Sequence, residues 1–174
     1  EFVIKDLTDG KPVKVICAFS VPLLLSTAFQ QLYNIADSVI VGRFTGSDGL
    51  AAIGAAYPIT LFFIAVATGA SMGCSVTISQ LFGAKRIRDM KSAVFTAIIS
   101  LSVLGVALAL LGVFLSAPLM RLLKAPAGIF DDAAAYLAIY SVGVIPMFIY
   151  NGANAIYTGL GDSKRPLYFL IMSS

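Results

Sequence analysis

The first long apolar run of this chain ends in the stretch Phe29-Gln30-Gln31-Leu32-Tyr33-Asn34-Ile35-Ala36-Asp37-Ser38-Val39-Ile40-Val41-Gly42. An apolar run of this length predicts a membrane-spanning helix, yet this one contains two glutamines, an asparagine and an aspartate. In a helix, Gln30, Tyr33, Asn34, Asp37 and Val41 are three or four residues apart and share one face, which we call the polar stripe. Polar groups in hydrocarbon are costly unless a helix bundle or water satisfies them. The stripe therefore predicts a helix face that lies inside a bundle or against a water-filled cavity.

Asp37 is the only Asp, Glu, Lys or Arg in the interior of any apolar run of this chain. A carboxylate within the membrane indicates a functional site, because it can exchange a proton or hold a Na⁺ ion. The alternative is that Asp37 caps or pairs with a neighbouring helix and serves packing alone. A single structural partner would not require a polar face over two helical turns, so the pattern favours a functional carboxylate.

The composition places the chain among multi-span membrane proteins. It is 59% hydrophobic and 12% charged, whereas soluble domains average about 25% charged residues. A net charge of +3 does not indicate a nucleic-acid surface. The lack of histidine excludes histidine-based metal sites and general bases, and Cys17 and Cys74 are predicted to be buried free thiols. Because the chain begins at Glu1 and ends inside an apolar run, we expect it to be a fragment of a longer protein.

The apolar runs predict an all-α membrane protein with four complete transmembrane helices and the start of a fifth. The predicted spans are residues 13–42, 50–82, 92–115, 133–157 and 166–174. Pro22 and Pro58 are candidate bends within long spans. The turn-rich residues 43–49 predict a short loop, and residues 119–124 predict a short interfacial helix.

Signals for helix ends accompany these spans. Gly83 is typical of a helix C-terminus, and the acidic pair Asp131–Asp132 is typical of a helix N-terminus. Residues 159–166 form a compact polar turn, in which Ser163 is predicted to cap the next helix and Pro166 to lie in its first turn.

Two spans carry further patterned residues. The second span has a small residue at every fourth position, Ala65, Gly69, Gly73 and Thr77, which predicts close packing against a neighbouring helix. The fourth span contains Asn151 and Asn154. These asparagines either hydrogen-bond across helices or line a transport pathway, and the sequence leaves both interpretations open.

The basic residues predict the orientation in the membrane. Nine Lys and Arg residues fall in the N-terminal segment and in the connections that lie on the same side, and three fall on the other side. The positive-inside rule then predicts a multi-pass protein of the cytoplasmic membrane with a cytoplasmic N-terminus. Asp37 would lie in the outer half of the bilayer.

Two stretches of the sequence resemble the multidrug and toxic compound extrusion (MATE) family of cation-coupled antiporters. The first is Gln30–Gly54, which is similar to the family's first helix, outer loop and start of the second helix. The second is Gly159–Leu167, which is similar to the cytoplasmic turn between the fourth and fifth helices. Many relatives have an arginine just before this turn, where this chain has Thr158. The hydrophobic layout resembles that family along nearly the whole chain.

The resemblance implies a fold and a site. The family has twelve helices in two six-helix lobes around a central cavity, and this chain would supply part of the N-terminal lobe. The family's cation site in that lobe uses an acid on the first helix, and Asp37 matches its position. Gln30, Tyr33 and Asn34 lie on the same face and can supply hydrogen bonds. The coupling ion would be H⁺ or Na⁺, with no other cofactor.

The implied function is export of organic cations or drugs, which would require the lipid bilayer and the rest of the transporter as partners, and no nucleic acid. One alternative is a flippase of lipid-linked sugars, which should show several basic residues in its cavity. Another is a membrane-embedded enzyme, which needs a nucleophile with a base or metal ligands, and this chain has neither pattern. A third is a subunit that only assists assembly, for which polar helix faces would be unnecessary.

Overall fold

The chain folds as a helical bundle in the computed structural model, which describes residues 12–162 and Arg165, apart from the side chains at positions 12–15, 18, 19, 23, 37 and 45. A helical stretch covers Pro12–Gly83 and is divided at Gly46, so we name residues 12–45 α1 and Gly46–Gly83 α2. Helix α3 is Ile87–Leu122, a 3₁₀ turn covers Ala127–Ile129, and α4 is Phe130–Gly159. Helices α2, α3 and α4 are long and apolar enough to cross a membrane. The predicted all-α membrane bundle is confirmed, and the predicted span 166–174 lies outside the described residues.

The connection between the first two helices differs from the predicted loop at residues 43–49. Backbone angles on both sides are helical, and Gly46 alone leaves the helix, with φ 69° and ψ −160°. This region of backbone space is open almost only to glycine, so one residue is enough to break the helix. Pro22 and Pro58 both lie inside helical segments, and the break is at neither of them.

The predicted interfacial helix at residues 119–124 is also wrong. Helix α3 continues through Pro118 and ends at Leu122. Met120 is fully buried in the same apolar cluster as Leu137 and Phe148. Because Met120 packs into the bundle, this segment extends the span and does not lie along the membrane surface. The predicted helix ends at Gly83 and at Asp131–Asp132 are confirmed, since α2 ends at the glycine and both acids lie in the first turn of α4.

The core lies between α2, α3 and α4. Its largest members are Phe63 from α2, Leu101 and Met120 from α3, and Phe148 with Leu137 from α4. Glycines let these helices approach closely. A side chain at Gly105 would meet the Cβ of Phe148 at 2.9 Å, and one at Gly152 would meet Leu101 at 3.1 Å. From Leu101 to Gly105 along α3, the facing residue of α4 changes from Gly152 to Phe148. Residue numbers therefore run in opposite directions, and α3 and α4 are antiparallel.

The small-residue face of α2 is exposed in the described part of the chain, so its predicted close packing stays a prediction. Ala65, Gly69, Gly73 and Thr77 are all exposed, and no described atom lies within 4 Å of a Cβ built at either glycine. The buried face carries a different set: Ala52, Ala56, Thr60, Phe63, Ala67, Ser71 and Ile78. The spacing of small residues shows that a face can be approached closely, but it does not show which face a neighbour covers. Gly73 and Thr77 instead line an open groove of about 380 Å³ between α2 and α3.

Candidate functional site

The polar stripe lies on one continuous helix. Residues 30–41 are all in α1, so the predicted spacing of three and four residues places the stripe on one face. The side chains of Gln30, Tyr33 and Asn34 are exposed, and Tyr33 has 56% of its surface accessible. The backbone of Asp37 is helical, and its side chain lies outside the described part of the structure. The roles of these four residues as a cation site stay predictions.

One hydrogen bond within the stripe was not expected from the sequence. The Nδ2 of Asn34 donates to the Oε1 of Gln31 at 3.1 Å, which orients the Asn34 amide along the helix surface. Gln31 therefore belongs to the polar surface, although it is not one of the residues spaced by three or four from Asp37. The Oγ of Ser38 donates to the backbone carbonyl of Asn34 at 2.8 Å, so it does not bind the Asn34 side-chain amide. The amide and phenol groups of the stripe are exposed within the described part of the chain.

The two asparagines of α4 differ in their hydrogen bonds. Asn151 is half-buried, and its Nδ2 donates to the carbonyl of Met147 at 2.9 Å, one turn earlier in the same helix. Asn154 is also half-buried, but its Oδ1 is fully buried and has no hydrogen-bond partner. Neither asparagine is hydrogen-bonded to Gln30, Tyr33 or Asn34 in the described residues. Their predicted role as pathway residues stays a prediction.

Sequence reasoning missed a polar contact between α2 and α4. The Oγ of Ser75 lies 3.4 Å from the Oγ1 of Thr158, and Ser71, one turn earlier in α2, is buried. We call Ser71, Ser75, Asn154 and Thr158 the polar seam. A signal for it exists in the sequence, because Ser71 and Ser75 are four residues apart, as are Asn154 and Thr158. The signal becomes informative only once α2 and α4 are known to be neighbours.

The turn after α4 is held by specific backbone and ion contacts. Gly159 packs so closely on α2 that a side chain there would meet the Ser75 carbonyl at 2.9 Å, and Gly161 has φ 81°. The carboxylate of Asp162 lies 3.0 Å from the Arg165 guanidinium and accepts the Arg165 backbone N–H at 3.3 Å. A carboxylate that accepts an N–H three residues later is the geometry of a helix N-cap. The predicted cap, Ser163, lies outside the described residues.

No cluster of metal ligands forms among the described residues. They contain no group of three or more Cys, Asp or Glu side chains that could hold an ion. The prediction of a Na⁺ ion at Asp37 concerns a side chain that this finding does not cover.

Comparison with known proteins gives one consistent result. The MatE family model matches residues 22–174, which include the whole polar stripe. The chain is 34% identical over 156 residues to "Probable multidrug resistance protein YoeA" of Bacillus subtilis, covering 90% of this chain and 34% of that protein. It is 32% identical over 165 residues to "Probable multidrug resistance protein YpnP" of the same organism, covering 95% of this chain and 37% of that protein.

A solved structure agrees with these relatives. An outward-facing multidrug resistance MATE family transporter of the MOP superfamily superposes with a TM-score of 0.86 at 27% identity, over 95% of this chain and 36% of that one. The chain thus spans about a third of the length of the proteins it matches. The helix order, the family match over residues 22–174 and this superposition agree, and the chain belongs to the MatE family.

Proposed function

We propose that the protein containing this chain is a cation-coupled antiporter that exports organic cations or drugs across the cytoplasmic membrane. The observation that carries the proposal is the family match over residues 22–174, which includes a helix with a carboxylate in a polar face. The names of the two Bacillus relatives, both multidrug resistance proteins, support the substrate class. The coupling ion is H⁺ or Na⁺.

In this proposal Asp37 binds the coupling cation. A membrane-buried carboxylate is held only where it is solvated by a cavity or paired, so its charge depends on what occupies the site. Gln30, Tyr33 and Asn34 are exposed on the same helix and supply amide and phenol groups to the ion or the substrate. The carboxylate either takes up a proton or holds Na⁺ with neighbouring oxygens.

Coupling requires only that the cation and the substrate favour different arrangements of the transporter. A ligand shifts a two-state equilibrium by its difference in affinity for the two states. If the cation stabilises one arrangement and the substrate the other, the cation gradient drives substrate export. The rest of the transporter supplies the opposing surfaces of the cavity.

The flippase alternative lacks support in these residues. Recognition of a lipid-linked phosphate calls for intramembrane Lys or Arg, and the predicted spans of this chain have none in their interiors. An assembly subunit would not require the polar stripe.

The test is Asp37→Asn in the natural full-length protein. Asparagine has nearly the same shape but cannot change charge, so the variant should express and fold while losing efflux driven by an imposed proton or sodium gradient. The matched control is Asp48→Asn, since Asp48 is exposed near the α1–α2 break and outside the stripe. Efflux of a fluorescent organic cation from reconstituted vesicles is the measurement. Gradient-driven efflux that survives in Asp37→Asn at the level of the control would refute the proposal.

A further inference from the structure

Two buried polar atoms at the contact between α2 and α4 have no hydrogen-bond partner among the described residues. They are the Oγ of Ser71 and the Oδ1 of Asn154. Ser71 has only 5% of its surface accessible. Buried polar groups are nearly always hydrogen-bonded, because leaving one unpaired costs the free energy of its lost hydration. Something other than the described protein groups must satisfy both atoms.

The packing register places these two atoms at the same level. Phe63 and Ser141 both meet a side chain built at Gly112, and further along Ser75 contacts Thr158, so residue numbers rise together along both helices. Helices α2 and α4 are therefore parallel. Ser71 lies one turn before Ser75, and Asn154 lies one turn before Thr158. This register puts Ser71 and Asn154 on neighbouring turns of the two helices, one turn before the Ser75–Thr158 contact.

The neighbouring donors are already engaged. The hydroxyl of Thr158 donates within its own helix, to the Asn154 carbonyl at 2.7 Å with the Ala155 carbonyl at 3.2 Å. The Asn151 amide donates to Met147 at 2.9 Å. The Ser71 hydroxyl makes no hydrogen bond with Asn154. A bridging group is needed between them.

We propose that the polar seam binds a water molecule between Ser71 and Asn154. The Oδ1 of an asparagine only accepts hydrogen bonds, whereas a serine hydroxyl both donates and accepts. Water can donate one proton to Asn154 and exchange a hydrogen bond with Ser71, and two polar partners are enough to hold a buried water. The flanking residues Ala67 and Ala155 are small and buried, so the seam is lined by short side chains at this level. The water joins α2 to α4 at a level where the two side chains do not reach each other.

The direct test is the density of the natural full-length protein at a resolution that shows ordered water. We expect a separate peak within hydrogen-bond distance of both the Ser71 Oγ and the Asn154 Oδ1. A density in which the two side chains touch each other, or in which no peak separates them, would overturn the proposal. This test does not depend on any variant folding.

A double-mutant cycle gives an independent test. Ser71→Ala and Asn154→Leu should each lower the melting temperature, because each leaves the water and the opposite atom with an unmet hydrogen bond. The double variant should lose less than the sum of the two, because no unpaired atom remains. Additive losses would contradict a shared water. The control is Ser79→Ala, since Ser79 is exposed on the same helix and donates only to the Val76 carbonyl at 2.9 Å.

A bound sodium ion and a bound water differ in how the melting temperature responds to the salt in the buffer. The melting temperature is measured in NaCl and in choline chloride for the wild type and for Asn154→Leu. A bound water predicts the same sodium effect in both proteins. A sodium-dependent stabilisation that is present in the wild type and lost in Asn154→Leu would assign the seam to a cation and overturn the proposal.

Discussion

Glycines in this bundle differ in what surrounds the missing side chain. A Cβ at Gly112 would meet the Ser141 Cβ at 2.8 Å and the Phe63 ring at 2.9 Å. A Cβ built at Gly69, in contrast, has no described atom within 4 Å. Both are helical, so the intrinsic gain from replacing glycine by alanine is similar, about 1 kcal/mol. The packing around each site decides the sign of the effect.

We expect Gly112→Ala to destabilise the protein and Gly69→Ala to leave it unchanged or slightly more stable. Overpacking a filled core costs about 1–3 kcal/mol, which exceeds the helix-propensity gain. The measurement is the melting temperature of the purified full-length protein, with Gly69→Ala as the matched control. Equal effects of the two substitutions would show that α2, α3 and α4 do not meet at Gly112 as described.

At this scale the sequence predicts the face of a helix but not its partners. The spacing of Gln30, Tyr33, Asn34 and Asp37 correctly predicts one continuous helix with a shared face. The Asn34–Gln31 hydrogen bond depends on side-chain rotamers, which spacing does not determine. The polar seam forms because α2 and α4 are parallel neighbours. Such tertiary packing cannot be read from residue spacing within one helix.

The elements extend beyond the predicted spans. The predicted spans 50–82, 92–115 and 133–157 correspond to Gly46–Gly83, Ile87–Leu122 and Phe130–Gly159. Hydropathy detects the segment that lies in hydrocarbon, whereas backbone hydrogen bonds continue into polar residues at the ends. This difference explains why the start of α2 and both ends of α3 lie outside the predicted spans, whereas the predicted ends at Gly83 and Asp131–Asp132 agree with the structure.

The break at Gly46 makes a specific prediction for α1 and α2. Alanine rarely adopts φ 69° with ψ −160°, so Gly46→Ala should cost about 1–3 kcal/mol or force a different connection. No described atom lies within 4 Å of a Cβ built at this position, so crowding among the described residues does not explain a loss of stability. Gly54→Ala is the control, because Gly54 is also in open space but has a helical backbone. Equal melting temperatures for both variants would contradict the described backbone at Gly46.

At the scale of the whole molecule, the helix order places the connections on alternate sides. The α1–α2 break and the segment after α3 lie at one end of the bundle, while residues 83–87 and the turn after α4 lie at the other. The second end carries Lys85, Arg86, Arg88, Lys91 and Arg165. Arg86 pairs with Asp89 at 2.7 Å, but both are largely exposed and the pair contributes little to stability. The basic asymmetry predicts that this end faces the cytoplasm.

Single cysteines at Ser47 and Asp89 test that orientation. Both side chains are exposed, and the 38 residues of α2 separate the two positions by roughly 55 Å of helix. In a background without other cysteines, Ser47→Cys should react with a membrane-impermeant maleimide in intact cells. Asp89→Cys should react only in inverted vesicles. The opposite pattern would reverse the predicted topology.

A connection of one residue between α1 and α2 determines how the chain can enter the membrane. Between the two helices there is no loop long enough to stay in water while α1 inserts into the bilayer by itself. We expect the two helices to enter the membrane together, because Gly46 alone separates them. Biogenesis of α1 would then depend on synthesis of α2, and ribosomes stalled between the two should leave a nascent chain that cellular quality control degrades.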